Sequence, residues 1–156
     1  MDQATVNLGQ TILEIGCGPG FFTEALAQKV GVDGKVIAQD VAPKMIAKLK
    51  KRSRRFPIFE NIEPLLANSS NTGLQDESVS LIFAVHVFEE IIKEGEMERT
   101  ANELFRVLKE GGSLYFGEHR VRNQTLRQII NDLTQAGFKR SEVDKKLFFD
   151  AALFKK

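Results

Sequence analysis

A short apolar run, Thr11-Ile12-Leu13-Glu14-Ile15, stops at three glycines spaced two apart in Gly16-Cys17-Gly18-Pro19-Gly20. Phe21 to Val30 then carries apolar residues at Phe22, Leu26 and Val30, the spacing of one helix face. A strand, a glycine turn and a helix, in that order, constrain the fold more than any other stretch of the chain. Glycine is needed in such a turn because a side chain would hold a ligand away from the backbone, and because the turn can demand positive φ.

The same alternation continues. Gly31 and Gly34 end the first helix, and residues 35–39 read as a second strand closed by Asp40. Pro43 suits the first turn of a second helix, with Met45, Ile46 and Leu49 as its buried stripe and its end before Pro57. Residues 62–66 read as a third strand, weakened by Pro64, and residues 79–85 as a fourth that is buried on both faces. Met97, Ala101, Leu104, Phe105 and Leu108 predict a helix over 96–109 that Gly111-Gly112 stops, followed by a fifth strand over 113–117. Leu126, Ile129, Ile130 and Leu133 predict a last helix over 125–136 with Gly137 as its stop. Segments 138–143 and 147–154 read as an antiparallel hairpin.

Strand and helix in alternation call for a largely parallel sheet covered on both faces. With 156 residues, 42% of them apolar, and no repeat or linker, the expectation is one α/β domain over residues 1–156. The 22 basic and 21 acidic residues leave a net charge of +1, which gives no composition-level case for a nucleic-acid or membrane partner. Residues 1–5 lack the features of a signal peptide, and no apolar run approaches the ~20 residues of a membrane span. Cys17 is the sole cysteine, which excludes an internal disulfide and suits a reducing, cytoplasmic compartment.

In open α/β sheets a ligand binds at the carboxyl ends of the strands, where strand order reverses. A dinucleotide loop, G-x-G-x-x-G, would put its third glycine at position 21, but that residue is Phe21. A nicotinamide-dependent oxidoreductase is disfavoured accordingly. A phosphate-binding loop would need a following Gly-Lys-Ser/Thr, and none is present.

The motifs resemble those of the class I S-adenosylmethionine-dependent methyltransferases over nearly the whole chain. Residues 12–20 are similar to the family's first motif and residues 36–46, with Asp40 ending the strand, to its second. Residues 76–82 resemble the stretch entering strand four, and residues 103–112 the segment before strand five. Within the family the likeness is to the small branch that includes the quinone-biosynthesis methyltransferases. The resemblance implies a three-layer, Rossmann-like sandwich whose seven-stranded, mostly parallel sheet has an antiparallel C-terminal hairpin strand.

It also implies a transferase that uses S-adenosyl-L-methionine and releases S-adenosyl-L-homocysteine. Asp40 would accept both ribose hydroxyls. Gly16, Gly18 and Gly20, with Cys17 among them, would let the loop approach the methionyl part, and Glu14 would orient the loop or the ammonium through water. Val41 and Met45 belong to the same cofactor-binding set. Asn68 and Ser69 would face the adenine edge, and His86 would lie near the sulfonium. The family often has Gly-Asp where this chain has Ala67-Asn68, so the acceptor for the adenine amino group becomes an amide oxygen. Ser80 stands where Asp is common. Ten residues precede strand one, whereas relatives carry additional N-terminal helices over the substrate. The expected domain therefore lacks most of that cap: the substrate side is open, or a second subunit of a homodimer closes it, or the chain is a piece of a longer protein.

The expected reaction is in-line methyl transfer to a small-molecule acceptor, with alignment supplied by the protein and the difficult chemistry by the cofactor. His86, Glu89, Glu90, Glu118 and His119 fall just beyond strands four and five. Of these, Glu89 and His119 are the candidate catalytic bases. No metal is expected, since no H-E-x-x-H spacing is present. The alternative function is a non-catalytic cofactor-binding or regulatory module of the same fold. The basic run 48–55 reads as a solvated helix end, Cys17 as a small residue fitting a tight loop, and the phenylalanines as core, with Phe21 and Phe22 as partial exceptions.

Overall fold

The computed structural model describes residues 6–54, 60–119, 122–146 and 149–156, with side chains described outside 142–150. Its elements, in chain order, are β1 (Thr11–Ile15), α1 (Phe21–Val30), β2 (Lys35–Asp40), α2 (Pro43–Ser53), β3 (Ile62–Leu66), β4 (Val79–Val85), α3 (Phe88–Lys93), α4 (Met97–Val107), β5 (Leu108–His119), α5 (Asn123–Gln135), β6 (Lys139–Lys146) and β7 (Phe149–Lys155). Met1–Thr5, Arg55 at the end of the basic run, and Leu147 at the expected start of the last segment lie outside the described residues.

The strands form one sheet in the order β3-β2-β1-β4-β5-β7-β6. β1 to β5 run parallel, and β7 enters antiparallel to both β5 and β6. The chain leaves β1 toward β2 and β3, then returns to place β4 on the other side of β1. Strand order therefore reverses between β1 and β4, and that is where a crevice opens at the strands' carboxyl ends.

Each face of the sheet is filled by its own helices. Neighbouring β1 residues Ile12 and Leu13 belong to different buried clusters, as the period-two alternation of a strand requires. Leu13, Ile37, Ile82, Leu114 and Phe116 meet α3, α4 and α5 through Phe88, Leu104, Ile129 and Leu133. On the other face Ile12, Val36, Leu81 and Phe83 meet Leu26 and Val30 of α1. Fully buried Phe83, Phe88, Phe116, Phe138 and Phe154 are core as expected, whereas Phe21 is 69% exposed. The edges are blunted: β3 carries Pro64, and the sequence of β6 is dominated by charge.

Beyond shifts of a few residues at element ends, two differences from the sequence reading matter. The helix expected over 96–109 ends at Val107, because Leu108 takes an extended backbone and pairs with Val79. Leu81 then pairs with Ser113, so residues 109–112 bulge from β5, helped by Gly111 at φ +72°. The glycine pair thus makes a bulge inside a long strand instead of stopping a helix. The second difference is α3, six residues long, which the sequence reading left without a helix. Among the described residues no helix is long and apolar enough to cross a membrane.

Leu104 is fully buried between α4 and the sheet. Leu104→Ala is expected to cost about 2–5 kcal/mol of unfolding free energy. In urea titrations this appears as a lowered midpoint at unchanged slope.

Candidate functional site

The turn after β1 is built from glycines that do different work. Gly16 (φ +68°) packs against α3's approach, where an added Cβ would come within 2.7 Å of Val87 Cγ2. Gly20 (φ +94°) packs against α2, where a Cβ would lie 2.6 Å from Leu49 Cδ1. Gly18 (φ +54°) is different: a Cβ there would meet nothing within 4 Å. At Gly16 and Gly20 an added side chain would have to displace Val87 or Leu49, while Gly18 leaves open space beside the turn.

Two adjacent side chains at the end of β2 hold this turn. Asp40 Oδ2 accepts the Gly18 N–H at 2.9 Å, and Oδ1 accepts the Ala42 N–H at 2.8 Å. Gln39 accepts the Gly16 N–H at 3.3 Å and donates to the Ala67 carbonyl at 2.5 Å. Asp40 is therefore not a cap of α2 in the usual sense; the capping position is Ala42, whose own side chain makes no capping bond. It joins the β1–α1 turn to the start of α2, and each carboxylate oxygen keeps one lone pair for another donor.

Beneath the turn, Glu14 is 2% exposed and its Oε2 accepts the Thr23 hydroxyl at 2.6 Å. Burial pushes its pKa up to about 8, opposed by the Thr23 bond and reinforced by the charge of Asp40. Cys17 is also buried, beside Ala38, Ile46 and Leu49, and burial followed by the charges of Glu14 and Asp40 pushes its thiol pKa up. That is a small core residue in a tight loop, not a reactive thiolate.

The far wall comes from the ends of β4 and β5. His86 takes a left-handed backbone (φ +58°), and its N–H donates to the Gly117 carbonyl at 2.8 Å. Its ring stacks on His119 at 4.2 Å between centroids, and its Nδ1 accepts the His119 backbone N–H at 3.3 Å. Burial, and then the charge of His119, lower the His86 pKa, so the ring is neutral near physiological pH. The buried Glu118 accepts the N–H groups of Val87 and Phe88 on one oxygen, at 3.0 and 2.8 Å, and so pins the start of α3. Burial raises its pKa against those two bonds. Its other oxygen stands 3.9 Å from His86 Nδ1, but that nitrogen is an acceptor, so the pair is a contact and not a charged bridge.

Between these walls lies a cleft of about 220 Å³ at the reversal of strand order. It is lined by Ile15, Gly16, Gln39, Asp40, Val41, Asn68, Ser69, His86 and Val87, and by Glu90, Ile91 and Glu94 from α3 and its end. A larger cavity, about 310 Å³, lies at the strands' opposite ends beneath the 109–112 bulge, among Gln10, Ser80 and Lys155. The smaller cleft is the stronger candidate because the turn glycines, the Asp40 carboxylate and the neutral imidazole converge there. Among the described residues there is no group of three His, Cys, Asp or Glu side chains that could hold a metal ion.

A methyltransferase-domain family model matches residues 12–112. The chain belongs to the class I S-adenosylmethionine-dependent methyltransferases. It is similar to the arsenite methyltransferase of Halobacterium salinarum, 35% identical over 104 residues that cover 67% of this chain and 26% of that protein. It is also similar to the ubiquinone/menaquinone biosynthesis C-methyltransferase of Salmonella arizonae, 30% identical over 73% of this chain and 44% of that protein. The chain therefore spans less than half the length of these curated relatives. Among solved structures, an S-adenosylmethionine-dependent methyltransferase from Aquifex aeolicus superposes with a TM-score of 0.85 at 24% identity, covering 96% of this chain and 83% of that one. The N-methyltransferase NodS of Bradyrhizobium japonicum, in complex with S-adenosyl-L-homocysteine, gives 0.75 at 22% identity over 94% and 78%. At such identities the likeness is one of fold.

Of the residues singled out from sequence, Gly16, Asp40, Val41, Asn68, Ser69 and His86 line the cleft of this methyltransferase domain. Gly18 adjoins it through Asp40, while Glu14, Cys17, Gly20 and Met45 are not among the lining residues. His119 stacks on the lining residue His86, and Glu89 pairs with Lys93 at 3.3 Å outside the lining. Gln39, Val87, Ile91 and Glu94 were not anticipated. The apolar spacing Phe88, Ile91, Ile92 was a signal for α3, but six residues make too few turns to be convincing. Ser80, where the family commonly has Asp, donates to the Thr11 carbonyl at 3.1 Å.

Glu14 sets a pH dependence. Between about pH 4.5 and pH 8 the unfolded chain has released this proton and the folded domain keeps it, so stability falls as pH rises through that window. Below it the group is neutral in both states and contributes no slope. Denaturant unfolding across the window should show a downward slope that Glu14→Gln flattens; equal slopes in parent and variant would mean that Glu14 is already ionised in the folded domain.

Proposed function

We propose that this domain binds S-adenosyl-L-methionine in the cleft at the carboxyl ends of β1, β2 and β4 and transfers its methyl group to a small-molecule acceptor. The observation that carries this reading is Asp40. Its carboxylate is bound on both oxygens by backbone N–H groups yet keeps a lone pair on each, which fits a ribose diol. The surroundings fit the rest of the group. Gly18 leaves open the space that a Cβ would enter, and the Glu14 carboxyl beneath the turn can become the counter-charge of an ammonium. Val41, Val87 and Ile91 offer apolar surface to a purine.

When bound, the cofactor supplies an electrophilic methyl on a sulfonium. The residues of this chain supply position and proton handling. Asp40 and the turn hold one end of the cofactor, so that its orientation is set before the acceptor arrives. His86 and His119 would face the acceptor; a neutral imidazole there can take the proton of an acceptor hydroxyl or amine as its bond to carbon forms. The stacking of the two rings supports His119 over Glu89, whose charge is matched by Lys93. A thiolate acceptor would need no base.

The same reading takes the protein to be cytoplasmic, supported by the free thiol of Cys17. It takes no nucleic acid as partner, supported by the solvated setting of Lys48, Lys50 and Lys51 on α2 and of Arg54 just after it, and by the ion pair of Arg52 with Glu24.

Calorimetry with S-adenosyl-L-homocysteine, followed by turnover of methyl-labelled cofactor across hydroxyl, amine and thiol acceptors, tests the proposal. Binding with turnover is expected. Binding without turnover on any class would favour a non-catalytic cofactor-binding module. The diol contact is isolated by comparing this ligand with its 2′-deoxy analogue. Removing the hydroxyl should cost the parent roughly tenfold in affinity, but Asp40→Asn less than about threefold, because the charged acceptor is already gone. Asp40→Asn should also lower the melting temperature of the ligand-free domain, since either amide orientation sets an N–H donor against Gly18 or Ala42.

The turn gives a separate prediction. Gly18→Val adds a branched side chain in the open space, so cofactor binding should disappear while the domain stays folded with reduced stability. An unchanged dissociation constant would remove the turn from the binding site.

A further inference from the structure

We infer that Glu94, just after α3, receives the amino group of the cofactor's purine, a part that Asn68 is not free to play. The inference rests on the cofactor reading above and adds to it the group that selects the base.

The carbonyl oxygen of an amide has two lone pairs. Asn68 Oδ1 uses both locally, accepting the Ser70 N–H at 2.9 Å and the Ser70 hydroxyl at 3.0 Å. What Asn68 can turn to a ligand is its amide N–H, a donor suited to a ring nitrogen that accepts. The exocyclic amino group of adenine needs the opposite, an acceptor.

Ser69 does not supply it, because its hydroxyl is buried and engaged with Thr100 at 3.1 Å. The remaining side-chain acceptors in the cleft lining, apart from Gln39 and His86, which are already engaged, and Asp40, which the reading above gives to the ribose, are the carboxylates of Glu90 and Glu94. Glu90 is held by Lys93 at 2.6 Å. Glu94, one turn further, lines the same wall and has no ion pair among the described residues. The wall that carries it is fixed at its other end by the bonds from Val87 and Phe88 to Glu118. Gly95 at φ +72° turns the chain away immediately after it. A donor from Asn68 and an acceptor from Glu94 together match the edge of adenine. They oppose hypoxanthine, whose ring nitrogen donates and whose 6-oxo group accepts.

The test is calorimetry of S-adenosylhomocysteine and S-inosylhomocysteine on the parent domain, on Glu94→Gln and on Glu98→Gln, an exposed carboxylate of α4 that serves as a control for charge. The parent should prefer the adenosyl ligand by at least about tenfold. In Glu94→Gln, whose amide can turn either its oxygen or its nitrogen to the base, the preference should narrow to within about threefold, chiefly through tighter binding of the inosyl ligand. A gain of binding cannot come from a misfolded variant. Glu98→Gln should keep the parental ratio. An unchanged ratio in Glu94→Gln, or an equal change in Glu98→Gln, overturns the assignment to Glu94. A parent that binds neither ligand overturns the cofactor reading itself, a separate result.

Discussion

The arrangement at the carboxyl ends of the strands depends on one carboxylate held between two N–H groups. Asp40 ties Gly18, in the turn after β1, to Ala42 at the entry to α2, and the neighbouring Gln39 ties Gly16 to the exit of β3. Three crossing points of the chain thereby share one pair of adjacent side chains. A turn rich in glycine has little conformational preference of its own. These bonds give it one shape, and they do so with groups that still have capacity for a ligand. The strength of the arrangement comes from charge: a carboxylate accepting backbone N–H groups in a partly buried setting makes stronger bonds than a neutral acceptor would.

The two other buried carboxylates of the site solve the same problem differently. Glu118 answers the N–H groups at the start of a helix, where the peptide dipoles favour negative charge. Among the described residues Glu14 has one hydrogen-bond partner, the Thr23 hydroxyl, and it lies close enough to Asp40 for the two charges to oppose each other. The fold therefore sets two carboxyl groups at the turn differently: Asp40 accepts two backbone N–H groups, and Glu14 beneath it keeps its proton to about pH 8. A ligand that brings positive charge to the turn would remove the reason for that difference, and its binding would release a proton.

The sheet and most helices were legible because their signals are local. The apolar alternation of β1 and β4, the stripe of α5 and the glycine turn each lie within about a dozen residues. The match to the methyltransferase-domain family spans residues 12–112, which include β1, the glycine turn and β4 but not α5. The β5 bulge was not legible, because Leu108 has the spacing of a helix residue and becomes extended only when it finds Val79 across the sheet. The roles of Asn68 and Glu94 were hidden for a related reason. Whether an amide oxygen is available depends on its neighbour Ser70, and whether a glutamate reaches the cleft depends on a helix too short to announce itself. Residue type showed which side chains have the right chemistry; only their partners show which of them are already occupied.

The reversed strand at the end of the sheet has a consequence for biosynthesis. β6 is made before β7, yet β7 lies between β6 and the rest of the sheet, and among the described residues β6 pairs with β7 alone. While the chain emerges from the ribosome, β6 has no ladder to join and β5 has an open edge. Five parallel strands can assemble during synthesis, but the side of the sheet that Phe154 completes must wait for β7. An interruption of translation in that interval leaves β5 with an unpaired edge, open to pairing with another chain.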